Sequence, residues 1–598
     1  MALWPLGLDA VRITDGFWLD RQRTNGSISI PDGLRRLQEA GNVDNFVVAA
    51  GLERGPVRGP VFADSDVYKW LEAAAWEYGR EEDQELLQQQ LDVTSLIAEA
   101  QEGDGYLNTV VQARGDRYRD LARDHELYCA GHLFQAAVAQ VRCAGHGELL
   151  QVACEFADHL VRTFGPGKRE DVDGHPVVEM GLAELYRQTG DRRYLELARY
   201  FVGARGHGLT ARYGGDPVYL SDRVPVREAV TVEGHAVRAL YLAAGATDVA
   251  IEDGDGRLLD ALQRQYAHMR DTKQYLTGGL GSRWDREAFG DPYELPADRA
   301  YAETCAGIGA VQWAWRMLLA TGDAAYADQI ERLLFNAVLP GVSLRGDEYF
   351  YVNTLHLRQG SFADHQRSPA GGRHAWFDCA CCPPNLMRTL SQLAGYLATA
   401  TADGMQIHQY APAAVRTDIG GGPFAVRVET AYPWEGSVRV VVEQAPRGEV
   451  SLALRIPAWA EGATVDGNAV PAGGYTTTRR AFAAGDEVRL ELPFRAAAVR
   501  AHERVDAVRG CVALVRGPLV YAVEEADQEP GVVVDDLRFD GGVPLTAEHR
   551  PDLLGGLTVL RFPARQAGSA TPVTVTAIPY YAWANRGAGP MRVWLPLS

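Results

Sequence analysis

No apolar run in this chain approaches the roughly 20 residues that a membrane-spanning helix needs, so the 598-residue sequence predicts no helical span. Positive charge is scarce. Against 78 Asp and Glu stand 59 Lys and Arg, and the net charge of −19 argues against nucleic acid or an anionic membrane as a partner. The first residues, Met1-Ala-Leu-Trp-Pro-Leu-Gly-Leu-Asp-Ala, lack a basic segment followed by a continuous apolar stretch, so no signal peptide is expected. Cysteine is also sparse. The eight thiols show no framework spacing, which predicts free or metal-bound cysteines in a reducing compartment and a cytoplasmic location. A composition of 46% hydrophobic and 23% charged residues is that of a globular protein. The chain is too long for one core, so two to four domains are expected.

From Ser65 to about Ala400 the chain is rich in Ala, Leu, Glu, Gln and Arg at helical spacing. Val67, Trp70, Leu71, Ala74 and Ala75 fall on one face of the first such helix. Leu185-Tyr-Arg-Gln-Thr-Gly-Asp-Arg-Arg-Tyr194 recurs in the form Leu318-Leu-Ala-Thr-Gly-Asp-Ala-Ala-Tyr326. In both, Gly stops one helix and Asp caps the next. Looser copies lie at 144–148 and 253–256, so the unit is a repeated helical hairpin. Gly131-His132, Gly174-His175 and Gly234-His235 each read as a helix start, and Ala302-Glu303-Thr-Cys305 holds the same place later. If alternate helices form an inner ring, these residues converge at one end of an (α/α)6 toroid. Gly-His is also ordinary helix-start chemistry. After about Ala400 the period changes to two, in 425–430, 437–442, 450–456 and 488–492. The expected organisation is multidomain α+β: an (α/α)6 barrel over 1–400, a β-sandwich domain over 401–503 and a C-terminal β-sandwich domain over 504–598. The strand-like Ala10-Val-Arg-Ile could pack on either part.

Three of the eight cysteines sit in Asp378-Cys-Ala-Cys-Cys-Pro-Pro-Asn385. Adjacent Cys381 and Cys382 cannot easily bond each other across a trans peptide. Pro383 and Pro384 stiffen the loop, with a helix expected from Asn385 or just after it. A rigid loop of thiols suits a soft metal ion. Glu303, Cys305, Cys381 and Cys382 would make a four-ligand set, with Cys379 able to replace one of them. Ordinary buried cysteines are the competing reading. Cys129, Cys143, Cys154 and Cys511 read as small core residues.

Thr277-Gly-Gly-Leu-Gly-Ser282, Glu287-Ala-Phe, Tyr301-Ala-Glu-Thr-Cys305 and Cys379-Ala-Cys-Cys-Pro-Pro-Asn385 carry a resemblance. His125-Glu-Leu-Tyr-Cys-Ala-Gly-His132, Gly234-His-Ala-Val-Arg238 and Arg516-Gly-Pro-Leu-Val-Tyr521 extend it over nearly the whole chain. The sequence resembles the glycoside hydrolase family 127 β-L-arabinofuranosidases. The resemblance implies an (α/α)6 barrel followed by β-sandwich domains. It implies a Zn2+ ion held by Glu303, Cys305, Cys381 and Cys382, with Cys381 as nucleophile and Glu287 as general acid/base. It places His132, His175, His235, Glu331 and Tyr351 against the sugar. Arg286 departs from the small residue expected there, and could lower the Glu287 pKa or meet a substrate carboxylate. Asp285, Asp291 and Glu294 could raise that pKa instead. Trp376 and Tyr351 could offer ring contacts to the sugar.

The implied activity is retaining exo-hydrolysis of non-reducing terminal β-L-arabinofuranosides, small carbohydrates, with a thiolate in place of the usual nucleophilic carboxylate. One alternative keeps fold and mechanism but acts on another pentofuranoside or on an acidic or branched sugar. Another, of a different class, is a non-catalytic carbohydrate-binding protein with structural zinc. By analogy, the terminal β-domain could mediate a homodimer.

Overall fold

The computed structural model describes residues 3–420, 422–568 and 571–598. Six helices organise its first part: α1 (Ala63–Glu81), α2 (Glu126–Ala144), α3 (Val178–Thr189), α4 (Ala236–Asp253), α5 (Thr304–Thr321) and α6 (Cys382–Ser391). Each packs on the next in chain order, and α6 packs back on α1, closing a cycle. Their Ala- and Leu-rich sequences are buried on nearly every side, as inner helices must be. That differs from the one-sided face expected for the first helix.

Outside them lie Gln84–Ala100, Glu148–Thr163, Arg192–Ala204, Gly256–Thr272 and Ala324–Leu333, each packed on the inner helix that precedes it. These are the helices with one apolar stripe. The Thr-Gly-Asp turns behave as expected. Gly190 and Gly322 end their helices at φ 75° and 73°, and the Asp191 and Asp323 carboxylates accept from Arg193 N–H and Ala325 N–H. Gly254 and Asp255 repeat the device. Left-handed φ at a helix end costs an L-residue about 1–2 kcal/mol and glycine almost nothing.

Helix α6 starts at Cys382, earlier than Asn385. Pro383 and Pro384 occupy its first turn, where the missing N–H groups have no helical acceptor in any case.

Two sheets follow. One has five strands and includes Trp4–Pro5, Ala398–Thr401 and Glu449–Ile456; the other has seven and includes Val11–Ile13, Ala413–Ile419 and Ser437–Gln444. The N-terminal strand Val11–Ile13 therefore belongs to the middle β-module, at the edge beside Ala413–Ile419. A third sheet of ten strands contains Ala496–Val499, paired with Cys511–Arg516. The division expected near 503 thus moves to before Ala496. Among the described residues no helix is long and apolar enough to cross a membrane.

Candidate active site and metal centre

The N-terminal ends of the inner helices share one end of the cycle, and the chemistry collects there. Glu303 is the residue before α5, Cys381 the residue before α6, His235 the residue before α4 and His125 the residue before α2. Helix N-termini carry partial positive charge, which favours carboxylate and thiolate at these positions.

Glu303, Cys305, Cys381 and Cys382 offer donor atoms that all lie within 4.8 Å of one another. Cys305 Sγ is 3.3 Å from Cys382 Sγ and 3.8 Å from Cys381 Sγ, and Cys381 and Cys382 are 3.9 Å apart. The Glu303 Oε1 atom is 3.8 Å from Cys381 Sγ and 3.9 Å from Cys382 Sγ. Zinc–sulfur bonds of about 2.3 Å in a tetrahedron separate neighbouring sulfurs by about 3.8 Å, so the spacing fits. Glu303 Oε2 is buried without a hydrogen-bond partner. Burial, with Glu287 nearby, pushes this carboxyl well above its ordinary pKa, the state of a buried acid that lacks a countercharge. The residues therefore fit a soft divalent ion. Cys305 and Cys382 are buried, whereas Cys381 is partly exposed and is the thiol a substrate can reach. Its sulfur lies 3.2 Å from the Tyr351 hydroxyl.

Glu287 stands beside this cluster. A second trio, His235, Glu287 and Glu303, also has its donor atoms within 4.8 Å. His235 Nδ1 accepts from Val237 N–H at 3.2 Å, so Nε2 carries the proton and donates to Glu287 Oε2 at 2.9 Å. Arg367 Nη1 donates to Glu287 Oε1 and to the Tyr301 hydroxyl, and its guanidinium lies 4.1 Å from the centre of the Tyr351 ring. Burial raises the Glu287 pKa, but His235 and Arg367 more than reverse it and bring it to about 2.

The charges expected to tune this acid do something else. Arg286 pairs with Asp216, while Asp291 and Glu294 pair with Arg283. The small residue expected at 286 has a backbone reason. Arg286 and Glu287 have φ of 59° and 56°, the left-handed region that glycine tolerates. His125 (φ 56°) and Ala302 (φ 38°), which precedes Glu303, share this feature. Such strain persists only where the surroundings enforce it, and it gathers at functional sites.

The histidines line the same end. His175 lies before α3, its Nδ1 donating to the Pro176 carbonyl at 3.0 Å, which leaves Nε2 to accept. Its ring is 4.3 Å from Tyr128, 5.6 Å from His125 and 5.9 Å from His235. His132 is the seventh residue of α2, in its second turn, and not the helix start expected for it. It is fully buried, 4.6 Å from the Tyr128 ring, and neither ring nitrogen meets a well-formed hydrogen-bond partner. Burial and nearby Arg388 and Lys69 keep it neutral, well below the ordinary histidine pKa.

Glu331 is not brought to this cluster. It lies on the outer helix Ala324–Leu333, buried against the middle β-module. There it accepts from Arg455 Nη2 at 2.6 Å, from the Tyr432 hydroxyl and from Trp459 Nε1 at 3.0 Å. Its carboxylate is spent on joining domains. Trp376 packs edge-on to Tyr349 at 6.3 Å.

Sequence reasoning missed His125, Arg367 and the pair Lys69–Asp66. Lys69 Nζ donates to Asp66 at 2.7 Å with both side chains buried, 5.7 Å from the Tyr128 ring. The signal was present for that pair: a lysine three residues after an aspartate, on the same side of a helix that also carries Val67, Trp70 and Leu71. For Arg367, 80 residues from Glu287 in sequence, there was none.

A half-buried acid beside a thiol-rich cluster that could hold a metal, ringed by neutral histidines and tyrosines, suits an enzyme that cleaves a neutral, hydroxyl-rich substrate. The comparisons agree, and the protein is a glycoside hydrolase. The family model for the "Beta-L-arabinofuranosidase, GH127 catalytic domain" matches residues 10–395. Those for the GH127 middle and C-terminal domains match 404–494 and 496–596. The chain belongs to glycoside hydrolase family 127. It is 36% identical to the "Non-reducing end beta-L-arabinofuranosidase" of Bifidobacterium longum subsp. longum, over 92% of each chain. It also superposes on the crystal structure of a GH127 β-L-arabinofuranosidase from Geobacillus stearothermophilus T6. That match has a TM-score of 0.94 and 37% identity, covering 98% of this chain and 100% of that one. Another solved GH127 β-arabinofuranosidase matches with a TM-score of 0.93 and 33% identity, over 100% of this chain and 98% of that one.

Proposed function

We propose that this enzyme releases non-reducing terminal β-L-arabinofuranose with retention of configuration, using Cys381 as nucleophile and Glu287 as acid/base. The observation that carries the reading is a partly exposed cysteine in a metal-ligand cluster that shares Glu303 with an acid held by His235 and Arg367. Glu303, Cys305, Cys381 and Cys382 would hold Zn2+, which keeps the thiol as thiolate near neutral pH. The closed cycle of six buried helices supports reading the first domain as an (α/α)6 barrel. The eight free thiols support a reducing, cytoplasmic setting.

In the first step the Cys381 sulfur bonds to the anomeric carbon as the bond to the leaving oxygen breaks and Glu287 protonates that oxygen. In the second, Glu287 takes a proton from water, whose oxygen attacks the same carbon and returns the thiolate. His175 Nε2 is left to accept from a sugar hydroxyl, and the ring nitrogens of buried His132, which meet no well-formed partner, would bond another. The Tyr351 hydroxyl steadies the sulfur. Glu287 bonded to Arg367 is the ionised base of the second step. The first step needs the proton, so Arg367 must release Glu287 as the leaving group arrives. Arg367 follows residues 358–366, which are exposed throughout.

The alternative of an acidic sugar rested on Arg286, and that guanidinium is taken by Asp216. The test is release of p-nitrophenol from aryl pentofuranosides, including L-arabinose and its epimers, by wild type, Cys381→Ser and Glu287→Gln, with the anomer of the first product read by NMR. Selective turnover of the β-L-arabinofuranoside with a β first product, lost in both variants, is expected. Selective turnover of another sugar, or an α first product, would overturn the reading.

A further inference from the structure

A buried cation needs a countercharge. Arg373 is 8% exposed. Its Nη1 donates to the Trp583 carbonyl at 2.8 Å and its Nη2 to the Pro340 carbonyl at 3.0 Å, and its guanidinium lies 4.4 Å from the centre of the Phe350 ring. Trp583 belongs to the C-terminal domain and Pro340 to the helical one, so Arg373 clamps the two together. Two carbonyl dipoles and a ring face explain where the side chain sits, but they do not neutralise it. Among the described residues no carboxylate pairs with Arg373, and its Nε meets no well-formed hydrogen-bond partner. Glu524 lies close enough to favour the charge, but its oxygens are held by Ala584 N–H at 2.8 Å and by Arg586 at 3.0 Å. Burial draws the Arg373 pKa down to about 10, as expected of a guanidinium short of countercharge.

Arg373 lines a cavity of about 640 Å³ at this domain joint, a volume ordinary for a small-molecule site. Arg21 and Arg345 line it from the helical domain, and Gly555, Asn585 and Ala588 from the C-terminal domain. Arg21 repeats the pattern of Arg373. It is half-buried, its guanidinium lies 5.1 Å from the Phe17 ring centre and 5.7 Å from that of Tyr581, and its Nε meets no well-formed partner. Among the described residues no carboxylate pairs with it either. Two carboxylates share the lining: Glu348, which pairs with Arg345 at 3.3 Å, and Asp20, which is exposed. The cavity thus sets three guanidiniums against two carboxylates, in a chain whose net charge is −19. None of its lining residues belongs to the metal-ligand or acid clusters.

The local charge excludes a cation, and a neutral sugar would leave both unpaired guanidiniums as they are. A guanidinium presents its N–H groups as a planar fork that matches two oxygens of a phosphate or a carboxylate. Arg373 has five such donors and only two carbonyl acceptors.

We propose that the cavity between Arg21 and Arg373 binds one small oxyanion, a phosphate or carboxylate group that is either free or carried by a small metabolite. The bound anion supplies the missing countercharge and fastens the helical domain to the C-terminal domain. This site is independent of the proposed catalytic roles of Cys381 and Glu287.

The test is equilibrium dialysis of the full chain against labelled inorganic phosphate, glucose 1-phosphate and acetate, at one ionic strength held with chloride. Saturable binding of one anion per chain is expected. Tighter binding of glucose 1-phosphate than of phosphate would point to a sugar phosphate, equal binding to the free ion, and a preference for acetate to a carboxylate. Arg21→Gln should weaken the preferred anion about tenfold or more, the scale of one charge-assisted pair. Arg373→Gln should abolish binding, and Arg373→Lys should restore part of it. If the Arg373 variants do not fold, Arg21→Gln still reads the site, because Arg21 takes no part in the carbonyl clamp. The bound anion should also raise the thermal midpoint of wild type and not that of Arg21→Gln at the same concentration. Absence of saturable binding for all three anions overturns the site. So does binding that Arg21→Gln leaves unchanged, or binding that is lost in Arg367→Gln instead, which would place the anion beside Glu287.

Discussion

The Cys381 sulfur lies 3.2 Å from the hydroxyl of Tyr351, whose ring Arg367 covers at 4.1 Å. One tyrosine thus touches the proposed nucleophile with its hydroxyl and the guanidinium partner of the proposed acid with its face. A hydrogen bond to a charged group contributes about 1.5–3 kcal/mol. Tyr351→Phe should therefore lower kcat/KM by about 10- to 100-fold, while metal analysis finds the zinc content unchanged. A loss of zinc in this variant would mean that the hydroxyl holds the cluster and not the attacking sulfur.

Glu287→Gln should lower turnover by about 10²- to 10⁴-fold, least on substrates whose leaving group needs no proton. It also has a signature in stability. The folded pKa of Glu287 is depressed to about 2 against an ordinary 4.5. Its ionised form therefore stabilises the fold above pH 4.5, and that contribution is lost as pH falls from about 4.5 to 2. The difference in thermal midpoint between wild type and Glu287→Gln should be constant near neutrality and shrink over that acid window.

Glu331 separates an interdomain role from a sugar contact. Arg455 is fully buried, and removing one member of a buried ion pair costs about 3–5 kcal/mol. Asp328 also pairs with Arg455, so the cost should fall at the low end of that range. Glu331→Gln is expected to lower the denaturant midpoint while KM for the glycoside stays within twofold. A large rise in KM with unchanged stability would restore Glu331 to the sugar site.

Arg286→Gly should stabilise the protein by about 1 kcal/mol, because glycine accepts φ near 59° without strain. The ion pair lost with Asp216 is exposed and offsets only part of this. A higher thermal midpoint with kcat nearly unchanged checks the point.

Chelation should release the metal and lower the thermal midpoint, since an ion that binds only the folded state stabilises it. Glu303→Gln and Cys305→Ser should each lose zinc. A thiol titration of the chelated native protein should find Cys381 newly reactive, whereas Cys382, fully buried, stays slow.

The hairpin turns, the change from helical to alternating period near residue 400 and the two ligand motifs were legible in the sequence. Each is a local code: a glycine where φ must be positive, an aspartate that caps the next turn, thiols fixed by neighbouring backbone. Glu303, Cys305, Cys381 and Cys382 could be picked out because few chemistries need those donors together. Tertiary structure alone decided the rest. Arg367 reaches Glu287 through a loop that carries no pattern. Glu331 reads like any polar residue of an amphipathic helix until the packing of two domains turns it toward Arg455. His132 lost its place at a helix start because α2 begins six residues earlier, at Glu126. Short-range order follows from side chains within a few residues of each other, whereas the electrostatics of an active site depend on which distant charges the fold brings within hydrogen-bond reach.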